Sequence, residues 1–448
     1  MKQNEQWSSK IGFILAAAGS AIGLGAIWKF PYIAGTGGGG AFFLVFLVFA
    51  LLIGYPLLVG EFIVGRKGQD NAVSIYKKMA PNSMWPLLGR AGVLIGILVL
   101  SFYSVIGGWI ILYLCEALTG GLNGLSIHEY GVLFEEIISD PLATLVGQFV
   151  FITLTVMVVA KGVQKGIEKV SKILMPVLFG LFIIVVIRSL TLDGAAEGVK
   201  FLLVPDFGQL TSESILFALG QAFFTISLGS SVMVTYASYL PRSQNLPRSA
   251  FLIIAMNLFV CLLAGLAIFP GVFSFGIEPN AGPPLVFIAL AAVFAQMEFG
   301  VFFFSSFLIL FLFAALTSAF SMIEIAVSVT AKQDPVKRQK YTWMFGLLIF
   351  LIGIPSALSY GIMEDVKLWD KTFFDLVDYA ASNVLMPLGA FFTSFFISLK
   401  IKKSDLLREM KQGADVSLPL FHTWYFLVKY AAPAAIVVVF LDVLGVLF

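Results

Sequence analysis

Residues 19–32 read GSAIGLGAIWKFPY and place Gly19, Gly23 and Gly25 in the middle of an apolar run, with Lys29 near its end. Glycine inside a helix costs up to about 1 kcal/mol relative to alanine, so the stretch invites a break. In a bilayer, a break frees backbone N–H and C=O groups that must face protein, a cavity or a bound ion. Close helix packing through small residues is the other reading of the same glycines. A second stretch, 223–240 (FFTISLGSSVMVTYASYL), sets Ser227, Gly229, Ser230 and Ser231 at mid-run. Interrupted apolar segments at matching places in two halves point to a binding site between inverted repeats. A helix N-terminus there offers N–H groups to a carboxylate, and a C-terminus offers bare carbonyls to a hard cation such as Na⁺. A zwitterion with cations would match both.

Other polar residues fall within the apolar runs. Thr317 and Ser318 offer hydroxyls, with bonding back to their own helix as the alternative. Asn257 lacks that escape and should meet an interior partner. Glu61 is an intramembrane acid, and such acids mark function by default. It has three readings: a proton relay, an acid paired with Arg66, or a clamp on unwound backbone. Lys29 and Lys429 can snorkel to a membrane surface. Cys115 and Cys261 form no metal or disulfide pattern and read as buried small hydrophobes.

The elements that must hold these residues follow from composition. The 448 residues are 59% hydrophobic and 12% charged, against about 45–50% and 25% in soluble domains. The net charge of +2 comes from scattered basic residues, with no patch for nucleic acid. The polar first ten residues do not resemble a signal peptide. Eleven runs are long enough to cross a bilayer: 11–35, 41–65, 87–118, 142–160, 167–188, 214–240, 246–273, 300–330, 341–358, 373–398 and 421–446. The third and eighth are long enough to tilt. Alternate loops hold 22 of the 28 Lys and Arg residues, which puts the N-terminus in the cytoplasm and the C-terminus outside. The expected architecture is an all-α integral membrane protein of eleven transmembrane helices. Spans one to five (11–188) and six to ten (189–398) form two inverted repeats, with spans one and six broken. Segment 1–10 precedes them; a cytoplasmic loop (399–420) and one extra span (421–448) follow.

GSAIGLGAIWKFPY, GGGGAF, FFTISLGSSVMVTYASYL and LTSAFSM together resemble the neurotransmitter:sodium symporters, in order and over nearly the whole chain. The resemblance implies two Na⁺ sites. One would use Gly19, Ile22, Ala314, Thr317 and Ser318; the other Ala21, Thr225, Asn257 and the substrate carboxylate. It implies a substrate pocket lined by Ser20, Ala21, Leu24, Gly25, Val99, Tyr103, Phe224, Thr225, Ser227, Ser230, Ser318 and Met322. Gly23 stands where amine carriers of the family have an aspartate, so the substrate should bring its own carboxylate. Apolar walls then favour hydrophobic L-amino acids, aliphatic and aromatic. Lys29 and Asp378 would form an outer gate beneath which Tyr103 and Phe224 close; Trp7, Tyr239 and Asp334 would form an inner one. Gly166 and Pro176 would let span five unwind. The positions matching the family's chloride site are Phe46, Gln221, Thr225, Asn257 and Cys261, and kinship favours chloride independence.

The expected function is therefore Na⁺-coupled import of hydrophobic amino acids across the plasma membrane by alternating access, with Na⁺, the amino acid and lipid as partners and a monomer sufficient. A proton-coupled carrier of the same fold would use Glu61 and Asp378. A membrane enzyme would need a nucleophile–base or metal constellation, and the two histidines, His128 and His422, lie far apart in sequence.

Overall fold

A computed structural model describes residues 5–122, 125–276, 286–331 and 334–443. The readings made for residues 1–4, Lys332 and 444–448, which include the last turn of span eleven, lie outside the described residues. Among the described residues the chain is helical, with one isolated β-bridge between Leu368 and Lys371. The first half runs α1 (Lys10–Ala21), α2 (Gly25–Thr36), α3 (Gly40–Gly68), α4 (Ala72–Met79), α5 (Pro86–Thr119), α6 (Ile127–Ser139), α7 (Pro141–Val159), α8 (Val163–Leu190) and α9 (Ala195–Leu203). The second runs α10 (Ser212–Thr225), α11 (Val232–Ser238), α12 (Leu246–Ser274), α13 (Ala289–Ala295), α14 (Gly300–Ala331), α15 (Pro335–Ala357), α16 (Phe373–Lys400), α17 (Lys403–Lys411) and α18 (Leu418–Leu441).

Nine helices among the described residues are long and apolar enough to cross a membrane, and the α1–α2 pair, bent by 51°, makes a tenth. The sequence reading expected eleven. The difference is span six, which the structure divides into α10 (14 residues) and α11 (7 residues), each too short to cross a bilayer singly. α5 and α14 are indeed long, at 34 and 32 residues.

Helix starts follow capping chemistry. The Asp140 carboxylate accepts from the Leu142 and Ala143 N–H groups ahead of α7, and Asp334 accepts from Val336 and Lys337 ahead of α15, each followed by proline. Several basic residues read as loop belong to helices: Arg90 to α5, Lys165, Lys169 and Lys172 to α8, and Lys337, Arg338 and Lys340 to α15. They lie in or near the first turns, so the alternation of charge is kept. Cys115 also departs from expectation, being exposed on α5, whereas Cys261 is buried.

α1 packs on α8, α12 and α14, while α11 packs on α3 and α14. Both interrupted segments therefore sit at the centre of the bundle, and residues 16–31 and 225–240 are buried without exception. The free backbone groups at the breaks face protein, as the bilayer demands.

Candidate substrate and cation site

The first break falls at Ile22 and Gly23, and residues Gly25–Lys29 restart as a π-turn. Gly23 is required by close approach: a Cβ there would lie 2.6 Å from the Tyr103 hydroxyl and 2.8 Å from Ser318 Oγ. The second break runs from Ile226 to Ser231 and holds three residues at positive φ: Ser227 (56°), Gly229 (77°) and Ser231 (61°). The Gly229 backbone meets Met386 and Gly389 of α16 so closely that a side chain has no room. Glu61 of α3 accepts from the Gly229 N–H at 2.8 Å, which stabilises the unwound backbone. Of the three readings of this acid, the contact with Gly229 fits the clamp, while Arg66 pairs with Glu409 at 3.2 Å.

Between the two breaks lies a narrow cavity of about 20 Å³, room for about one water molecule. All twelve residues expected at the substrate site line it. Gly23, read as the substrate-facing position of the missing aspartate, lines it too; sequence reasoning missed Ile95, Gly96, Val232 and Met386. Ile95 and Gly96 precede Val99 by one helical turn on α5, a spacing that was available as a signal. Met386 enters from α16, and no local pattern announces it.

The polar groups converge here. The Leu24 N–H, near the start of α2, donates to the Tyr103 hydroxyl oxygen at 3.2 Å. The Ser20 carbonyl accepts from Ser318 (3.0 Å) and Ser227 (3.3 Å). The Gln221 amide donates to the Gly25 carbonyl at 2.6 Å.

Two oxygen clusters flank the cavity. Thr317 Oγ1 lies 3.1 Å from the Gly19 carbonyl and 3.0 Å from those of Ala314 and Phe313. One hydroxyl hydrogen serves one of these three acceptors at a time. Three residues expected at one cation site thus meet; Ile22 is buried at the break beside them, and Ser318 turns its hydroxyl to Ser20. In the second cluster, Asn257 Nδ2 is 2.9 Å from the Ala21 carbonyl and 3.5 Å from both the carbonyl and the hydroxyl of Thr225. Asn257 Oδ1 is buried with no hydrogen-bond partner.

Side-chain clusters flank the cavity on two sides. On one side Lys29 Nζ sits 2.7 and 2.9 Å from the two Asp378 carboxylate oxygens and 4.2 Å from the centre of the Phe224 ring. On the other, Trp7 is buried, donates Nε1–H to the Tyr236 carbonyl at 2.8 Å, and packs on Phe13, Tyr236 and Tyr239. Tyr239 donates to Glu324 at 2.7 Å, Glu324 makes a two-point ion pair with Arg338, and Arg338 reaches Glu5 at 3.1 Å. Glu324, Arg338 and Glu5 had not been singled out. Of the residues expected at the inner gate, Trp7 and Tyr239 meet here, and Asp334 lines the same cleft as Glu5, Tyr239 and Arg338. Burial raises the Glu5 carboxyl above its ordinary range, against the opposing pull of Arg338, so it loses charge earlier than an ordinary glutamate as pH falls.

Gly166 lies in the π-wound first turn of α8, pressed against the Val158 carbonyl of α7, and Pro176 lies further along the same helix.

The model of the sodium:neurotransmitter symporter family matches residues 4–130 and 138–446. A sodium-dependent transporter of Bacillus subtilis, YhdH, is 63% identical over 99% of this chain and 98% of its own length. The crystal structure of MhsT in complex with L-phenylalanine is 42% identical, with a TM-score of 0.91 over 98% of this chain and all of that one. A sodium- and chloride-dependent taurine transporter of Canis lupus familiaris is 26% identical over 88% of this chain and 71% of its own length.

Proposed function

Since the chain belongs to the sodium:neurotransmitter symporter family, whose members are sodium-dependent membrane transporters and not enzymes, we propose that it imports hydrophobic L-amino acids with two sodium ions. The observation that carries this reading is the cavity between the two breaks. Its polar edge is the Leu24 N–H and the Tyr103 hydroxyl, a donor pair suited to a carboxylate, at the N-terminal end of α2. Its other walls are apolar: Ile95, Val99, Phe224, Val232, Met322 and Met386. That division suits an amino acid with a hydrophobic side chain, as does the phenylalanine complex of MhsT.

Each oxygen cluster suits a hard cation. At Thr317, the Gly19 carbonyl in the last turn of α1 meets the hydroxyl and the Ala314 carbonyl, an all-oxygen set that Na⁺ would suit. At Asn257, half a turn of the carboxamide brings the unpartnered Oδ1 beside the oxygens of Ala21 and Thr225, with the substrate carboxylate completing the set. Proton coupling through Glu61 or Asp378 fits less well, because both acids are engaged, one with Gly229 N–H and the other with Lys29.

The lysine-rich loops favour a cytoplasmic side for Trp7 and the Glu5–Arg338–Glu324 network. Opening of that network and of Lys29–Asp378 in turn would give alternating access, with residues 11–188 and 189–398 as the two repeats. Uptake of radiolabelled leucine or tryptophan into proteoliposomes, with sodium and proton gradients varied separately, tests the proposal. Uptake that follows the sodium gradient is expected. Uptake driven by the proton gradient alone, or confined to glycine or glutamate, would contradict it.

A further inference from the structure

Lys161, Lys165, Lys169 and Lys172 recur at helical spacing across the α7–α8 junction. The first three are exposed and the fourth is half-buried. Beside them opens a cleft of about 540 Å³, lined by Ser8, Gln164, Lys165, Lys169, Lys172 and Ile173. The acid on the same turn, Glu168, is already committed. It accepts from Ser8 N–H (2.7 Å), Ser8 Oγ (2.5 Å) and Ser9 Oγ (3.1 Å), and pairs with Lys172 at 2.6 Å. Among the described residues no ion pair engages Lys161, Lys165 or Lys169.

The face that carries Lys165 and Lys169 continues along α8 as an apolar stripe. Ile173, Val177 and Ile184 are 57%, 43% and 42% exposed. In a helix that crosses a bilayer, that stripe faces acyl chains. Unpaired cations opening onto a lipid-facing apolar track match a phospholipid: the phosphate on the lysines, one chain along the stripe. Lysines at such a position attract anionic lipid.

We infer that this cleft is a headgroup site for an anionic phospholipid, its phosphate held by Lys165 and Lys169 and its acyl chain lying on Ile173 and Val177. A free phosphate would use the lysines and not the stripe. The site borders the contacts that tie the N-terminal segment to α8, since Lys172 Nζ also reaches Ser8 Oγ at 3.1 Å.

The test uses the full chain, purified from vesicles of phosphatidylcholine with phosphatidylglycerol as the minor lipid, and measures the phosphatidylglycerol retained by native mass spectrometry. Lys165→Gln with Lys169→Gln should cut retention at least about five-fold, the weight of a single lysine near an anionic surface. Lys165→Arg with Lys169→Arg should restore it, and Lys400→Gln with Lys402→Gln, which removes two lysines elsewhere, should leave it unchanged. Inorganic phosphate at millimolar concentration should not displace the lipid. Monodispersity and the thermal unfolding midpoint report on folding; Lys169→Gln alone carries the test if the double variant is not monodisperse. Undiminished retention in the folded glutamine variant would overturn the inference, and so would displacement by phosphate.

Discussion

Tyr103 and Leu24 meet where the account places the substrate carboxylate, and their contact can be tested one atom at a time. Tyr103→Phe removes the hydroxyl while keeping the ring among its apolar neighbours. A net hydrogen bond is worth about 1 kcal/mol, or more toward a charged group. The variant is expected to weaken amino-acid binding about five- to ten-fold by isotherm and to shift the thermal midpoint little. Glu61 offers a second test. Glu61→Gln keeps an acceptor for the Gly229 N–H. Glu61→Ala leaves that donor buried and unpaired, at a cost of about 1–3 kcal/mol. Thermal unfolding should therefore rank Ala well below Gln, and equal midpoints would contradict the clamp. The type of Glu61 and its place in an apolar run were legible in the sequence, but its role stayed open among three readings. Its partner stands 168 residues away, on the other interrupted span, and no local spacing carries that information.

At the scale of elements, the two interruptions were readable because the bilayer makes glycine and serine runs costly unless the freed backbone has a use. The same logic located Thr317 and Asn257, polar residues in spans otherwise built of Leu, Ile, Val and Phe. What escaped was whatever depends on one element approaching another. Met386 reaches the cavity because the backbone of α16 packs on that of Gly229. The inner network was read in part: Trp7 and Tyr239 were expected there, whereas Glu5, Glu324 and Arg338 come together from three segments that no local spacing joins. Gly166 combines both kinds of information: its spacing to Pro176 was visible, and the structure adds the Val158 carbonyl against which it presses. Gly166→Ala would force the first turn of α8 away from α7. If unwinding there opens the inward path for sodium, the variant should bind substrate normally yet take it up several-fold more slowly in proteoliposomes. Unchanged uptake would count against that role.

For the whole molecule, ion pairs stand on both sides of the cavity, Lys29–Asp378 on one and Arg338–Glu324 on the other, and the proposed cycle would open them in turn. The two pairs differ in strength. Arg338 and Glu324 are nearly inaccessible, with side chains 7% and 0% exposed, whereas the Asp378 side chain of the outer pair is 25% exposed. Breaking a buried ion pair from one side costs about 3–5 kcal/mol, because the remaining charge stays unpaired. Arg338→Gln is therefore expected to favour the state opened toward the cytoplasm. In a Cys115→Ser background, a cysteine at Ser20 should then react faster with an impermeant thiol reagent applied from that side. Glu5→Gln, at a partner 32% exposed, should raise the rate less. Equal rates in parent and Arg338→Gln would contradict the gate.

The central claim is that cations and a carboxylate are held together where two spans lose their winding. It is tested most directly by equilibrium binding of L-leucine and of isoamylamine, the same molecule without its carboxylate, to the purified protein across a sodium titration. Linkage requires that leucine and sodium raise each other's affinity by the same factor. Leucine binding that rises with sodium, with isoamylamine failing to bind at any sodium concentration, is the expected result. Leucine binding indifferent to sodium, or isoamylamine bound as tightly as leucine, would contradict the account.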